Sequence, residues 1–110
     1  MKIYNQARRT GKTENIISLV DYYTMSDQIP IWIVTPTHFI EERLRKRILC
    51  RYGTLKNMSN NIIFIWIPHH LRGISQPQII LVDEYNYCSG TLIDILKEQY
   101  SDRLIMFGTE

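Results

Sequence analysis

Two short segments of this chain carry the groups that phosphoryl chemistry requires. The first is Gln6-Ala7-Arg8-Arg9-Thr10-Gly11-Lys12-Thr13, set between a strand-like start and a helix-like run. Gly-Lys-Thr in that position is the core of a phosphate-binding loop. Backbone N–H groups of a tight turn cradle phosphate oxygens, and the helix N-terminus adds partial positive charge. Lys12 would reach the β- and γ-phosphates, and the Thr13 hydroxyl would take one position on Mg²⁺. The strict pattern asks for glycine where this chain has Gln6, so the triplet gains weight only from a second motif further along the chain.

The second segment is Ile79-Ile80-Leu81-Val82-Asp83-Glu84, four apolar residues ending in two carboxylates. Phosphoryl transfer to water needs an acid to hold Mg²⁺ and a base to position the attacking water. Asp83 suits the first role and Glu84 the second, and both would emerge at the carboxyl end of a strand, where open α/β sheets bind ligands. An acidic pair that merely returns a buried strand to solvent looks the same in isolation. Its position about 70 residues after Gly-Lys-Thr, on a separate strand, favours the chemical reading.

These groups need elements to hold them, and strand-type and helix-type segments alternate along the chain. Strands are predicted over Lys2–Gln6, Ile31–Thr35, Asn61–Ile67, Gln78–Asp83 and Arg103–Phe107. Helices are predicted over Lys12–Thr24, from Thr37 or His38 to Tyr52, and over Gly90–Tyr100 with Ser89 or Thr91 as cap. Continuously apolar strands alternating with helices define an α/β fold with a parallel sheet covered on both faces. At 110 residues, the span 1–110 is one domain with a single core.

Composition narrows the classes further. Apolar residues make up 45% and charged residues 22%, which argues against disorder. The run Ile62–Ile67 is about a third of a membrane-spanning length of roughly 20 residues, and no secretory signal is visible. Cys50 and Cys88 lie far apart in no metal-ligand spacing and read as reduced, half-buried thiols of a cytoplasmic protein. A net charge of +2 is too small to demand a nucleic-acid partner.

The order of the motifs resembles the ATPase motor of viral large terminases, which package DNA, and more broadly superfamily-two helicases. Arg8-Arg9-Thr10-Gly11-Lys12-Thr13 resembles the terminase phosphate loop, which commonly lacks the first glycine and carries arginine. Ile33-Val34-Thr35-Pro36-Thr37 resembles the second-strand motif that leads toward DNA, and Leu71-Arg72-Gly73 an Arg-Gly element found ahead of the acidic strand. Leu104-Ile105-Met106-Phe107-Gly108-Thr109 resembles the coupling motif. The resemblance implies a three-layer P-loop NTPase-like sheet of five parallel strands, truncated to a half-core, with no adenine-recognition segment ahead of the loop and no nuclease domain after it. It implies ATP and Mg²⁺ as ligands and host cytoplasm as the location if the chain is viral. Arg8 would act in cis on the γ-phosphate, and Gly108 and Thr109 would sense it.

The same resemblance orders the strands as Lys2–Gln6, Arg103–Phe107, Gln78–Asp83, Ile31–Thr35 and Asn61–Ile67 across the sheet. The phosphate-loop strand would then be an exposed edge, which invites pairing in a homo-oligomer or with a second chain that supplies the missing half.

The helix before Tyr52 is basic. Glu41 can pair with Arg45, and Glu42 with Lys46, at i,i+4. Arg43, Arg47 and Arg51 have no acidic neighbour at that spacing; the solvated outer face of an amphipathic helix is the simplest reading, contact with double-stranded DNA the next, and a protein interface the third. His69-His70 points two ways along the chain and makes a poor metal pair. Tyr85, Asn86 and Tyr87 would line the loop over a nucleotide, although surface packing explains them equally well, and Trp32 and Trp66 would be core residues within strands. The sum is an Mg-dependent ATPase core with no membrane association. The competing reading is a non-catalytic nucleotide-binding or partner-binding module, or a helicase-like fragment acting in replication.

Overall fold

Ile31-Trp32-Ile33-Val34 and Ile79-Ile80-Leu81-Val82 are apolar at every position, so a sheet that contains them must be covered on both faces. The computed structural model, which describes residues 1–6, 12–52 and 62–109, contains that sheet. Its strands are β1 (Lys2–Gln6), β2 (Ile31–Val34), β3 (Ile62–Ile65), β4 (Ile79–Val82) and β5 (Leu104–Thr109). The helices are α1 (Lys12–Met25), α2 (His38–Tyr52) and α3 (Gly90–Tyr100). Every strand pairing is parallel and the order is β1-β5-β4-β2-β3, the arrangement that the motif order implies.

Two apolar clusters lie on opposite faces of the sheet. Ile16, Ile17 and Val20 of α1 and Leu44 and Ile48 of α2 pack on Ile31, Ile33, Leu81, Ile105 and Phe107. Leu92, Ile93 and Leu96 of α3 pack on Trp32, Val34, Ile80, Val82 and Met106. The chain therefore advances from β1 through β2 to β3 over one face and returns from β4 to β5 over the other. Right-handed crossovers require this change of face when the direction of travel reverses.

Local chemistry sets the ends of the helices. The Thr37 hydroxyl accepts from the Ile40 N–H at 3.2 Å and so caps α2. The Ser89 hydroxyl accepts from the Leu92 N–H at 3.4 Å at the start of α3. Helix α1 closes with Asp27 at φ +56° and the Gln28 N–H on the Tyr23 carbonyl at 2.9 Å, a Schellman arrangement.

The third strand is shorter than its apolar run suggested. Trp66 follows β3, packs edge-on against His70, 4.2 Å between ring centroids, and lies 5.0 Å from the His38 ring. The His70 Nδ1 accepts from the Trp66 N–H at 3.2 Å, which turns the chain into a 3-10 segment over Pro68–Leu71. Trp32 is the core residue expected, with its indole N–H donating to the Ser75 carbonyl at 3.1 Å. Gly53, read as the stop signal of α2, lies outside the described residues.

Candidate functional site

The connection leaving β4 goes to one face of the sheet and the connection leaving β2 to the other. A crevice opens where neighbouring strands part in this way, beyond their carboxyl ends. Here it is a cavity of about 200 Å³ lined by Thr13, Ile40, Arg43, Leu44, Arg47, Asp83 and Glu84. Three residues read from two distant motifs thus share one cavity.

Each is held by its own element. Asp83 follows β4, its N–H donates to the Val34 carbonyl at 2.8 Å, and the residue is only 6% exposed. Glu84 takes the left-handed conformation at φ +51° and ψ +54° and opens a 3-10 turn over Tyr85–Tyr87. Thr13 sits in the first turn of α1. Arg43 and Arg47 are one turn apart on α2, beside the buried Leu44 and Ile48, which directs them over the cavity rather than away from it. Arg47 makes an ion pair with Glu14 of α1, and the Arg43 guanidinium lies 5.9 Å from the Phe39 ring centroid. Two carboxylates, two guanidiniums and a hydroxyl therefore surround the space. The cations suit phosphate oxygens, and the carboxylates suit a hydrated divalent ion and a water to be deprotonated.

The turn after Glu84 is anchored from two sides. The Cys88 thiol donates to the carbonyls of Asp83 and Glu84 at 3.4 and 3.5 Å. Burial, reinforced by the Asp83 carboxylate, pushes that thiol up to about 12, so it stays protonated and is no nucleophile. On the other side the Tyr85 hydroxyl donates to Asn5 Oδ1 at 3.0 Å, and Asn5 pairs with Gly108 across β1 and β5. A Cβ at Gly108 would lie 2.4 Å from Tyr85 Cε1, 2.5 Å from Asn86 Oδ1 and 2.7 Å from Asn5 Oδ1, so any larger residue there must displace these side chains. Tyr85 and Asn86 lie beside Gly108, at the ends of β1 and β5. Tyr87 is exposed.

The remaining candidate residues are unevenly placed. Ala7, Arg8, Arg9, Thr10 and Gly11 lie outside the described residues, as do the side chains of Gln6, Lys12, Arg51 and Thr109. Along the backbone, Gln6 ends β1 opposite Thr109, and Lys12 is the first residue of α1. The ends of β1 and β5 therefore lie side by side. Glu41 pairs with Arg45 as its spacing suggested, but it is 1% exposed rather than solvated, with His38 Nε2 at 3.5 Å from its second oxygen. The i,i+4 spacing signals the pair and carries no signal of its depth. Among the described residues no group of three or more His, Cys, Asp or Glu gathers as a metal site, and no helix is long and apolar enough to cross a membrane.

No family model, no curated protein and no solved structure matches this chain. The functional reading therefore rests on the residues themselves.

Proposed function

We propose that this chain is a P-loop-type nucleoside triphosphatase core that binds ATP with Mg²⁺ and hydrolyses it. The observation that carries the reading is the convergence of Thr13, Asp83 and Glu84 on one cavity, opposite Arg43 and Arg47. The hydroxyl of Thr13 and the carboxylate of Asp83 are donors that suit a small hard cation, and they line the same space. Bound Mg²⁺ would supply charge neutralisation at the terminal phosphates. Glu84 orients and deprotonates the attacking water, Lys12 and Arg8 bind phosphate, and Gly108-Thr109 reports the state of the loop to the sheet.

The position of Arg43 and Arg47 favours nucleotide phosphate over duplex DNA as their first partner. A DNA role of the terminase or helicase kind then falls to other surfaces or to a partner chain. It would appear as hydrolysis stimulated by added duplex. One observation favours a binding-only module: about 200 Å³ is below the roughly 300–1,000 Å³ of pockets that enclose a whole ligand.

Calorimetry with Mg-ATP and a phosphate-release assay test the proposal together. Glu84→Gln should lose about 100-fold or more in hydrolysis, the contribution of a general base, and keep ATP affinity within about threefold. Hydrolysis at the parental rate in that variant removes Glu84 as the base. Binding without turnover in the parent assigns the chain to the binding-only class, and absence of binding refutes the nucleotide site.

A further inference from the structure

The open edge of β1 is a feature that nucleotide binding leaves unexplained. β1 pairs only with β5, so the backbone groups on its other side meet no strand among the described residues. Proteins guard such edges with prolines, bulges, covering segments or several charges. Here Lys2 is the single charged residue of the strand, at its far end. Eight large hydrophobic side chains are exposed among the described residues, and Met1, Ile3, Tyr4, Tyr22 and Met25 all lie on α1 or at β1. Between helix and strand runs a groove of about 380 Å³ lined by Lys2, Tyr4, Ser18, Leu19, Tyr23 and Phe107, nearly twice the volume of the cavity at Asp83.

We propose that β1 is a dimerisation strand. Two copies of this chain pair edge to edge and antiparallel about a two-fold axis at Tyr4, joining two five-stranded sheets into one. The charge pattern selects a second copy as the occupant. Centring on Tyr4 sets Lys2 opposite Gln6 of the partner subunit and Ile3 opposite Asn5 of the partner subunit, so no like charges meet. A foreign acidic strand would find only Lys2 to answer, whereas the neutral aromatic centre answers itself. Tyr4 is 46% exposed and stacks on Phe107 at 5.5 Å, which fixes its ring on the groove side of the sheet. Directly opposed residues in an antiparallel pair have Cβ atoms about 4.5–5.5 Å apart, so the partner's Tyr4 enters the groove beside Leu19. One five-residue strand and one helix face fall short of the roughly 20–30 residues per side of a standard interface. The dimer is therefore a micromolar one whose population depends on concentration, and it does not depend on nucleotide.

Sedimentation velocity from about 1 to 500 μM tests this range of affinities. The weight-average mass should rise from 13.1 kDa toward twice that value. Tyr4→Lys and Tyr4→Glu should each stay monomeric, with circular dichroism and a cooperative urea transition showing them folded. An equal mixture of the two should restore the dimer, because opposite charges then meet at the axis. Should either variant fail to fold, Tyr4→Cys in a Cys50→Ser background should oxidise to a covalent dimer. A monomer at every concentration overturns the proposal. So does a dimer that survives Tyr4→Lys, a mixture that does not associate, or a Tyr4→Cys variant that never cross-links.

Discussion

Gly108→Ala is the substitution whose cost follows most directly from the geometry. The added methyl would stand 2.4 Å from Tyr85 Cε1, 2.5 Å from Asn86 Oδ1 and 2.7 Å from Asn5 Oδ1, whereas ordinary contact begins near 3.4 Å. The Tyr85 ring must therefore retreat by about 1 Å, more than a close-packed neighbour absorbs without changing rotamer. Asn86 is exposed and can swing away at little cost. Tyr85 cannot, because its hydroxyl is held by Asn5 at 3.0 Å. Losing that hydrogen bond costs about 0.5–1.5 kcal/mol, and an off-rotamer ring adds about 0.5–1.5 kcal/mol. Removing a glycine returns about 0.4–1 kcal/mol through the unfolded chain. The net is a destabilisation centred on about 1.3 kcal/mol, with a range of about 0–2.6 kcal/mol, or on the order of 5–10 °C in melting temperature at the centre. Urea titration followed by tryptophan fluorescence and circular dichroism measures it. In a Tyr85→Ala background the ring is gone, and the same substitution should cost under about 0.5 kcal/mol. An equal cost in both backgrounds, or a stabilisation by Gly108→Ala, would refute the account of this corner.

Two further outcomes are expected. Glu41→Gln removes the charge that the Arg45 guanidinium meets from a buried position, and should cost about 1–3 kcal/mol, toward the lower end because Arg45 is partly in water. A change below about 0.5 kcal/mol in the urea-derived stability would show the pair to be incidental. The Cys88 thiol is raised from its ordinary value of 9.0 to about 12 by burial and by Asp83. The unfolded thiol ionises first, so this group's contribution is complete below pH 9 and is lost across pH 9–12. Cys88→Ala should therefore flatten that part of the stability profile relative to the parent, and parallel profiles would count against the assignment.

The fold was legible because its signals were redundant. β2 and β4 are apolar throughout and bounded by prolines or carboxylates, and the helices between them repeat their apolar residues at helical spacing. The strand order followed from a resemblance in motif order, and the register places Gln6 beside Thr109. The meeting of Thr13 with Asp83 and Glu84 was legible for the same reason. What escaped were side chains bordering an apolar stripe. Arg43 and Arg47 lie on one flank of Leu44 and Ile48, and Glu41 on another. Whether a flanking position faces water or a neighbouring element depends on helix placement, which spacing alone does not contain. Tyr85 and Asn86 escaped because their partner, Gly108, is distant in sequence and offers only the absence of a side chain.

The left-handed backbone of Glu84 sets what this turn costs the fold. Asp27 takes a similar conformation, but at the end of a helix and with a short side chain that tolerates it. For a longer side chain such as Glu84 the backbone conformation itself costs on the order of 1–2 kcal/mol that glycine would avoid. Under the proposed function, that backbone cost is what placing a carboxylate at the carboxyl end of β4 requires.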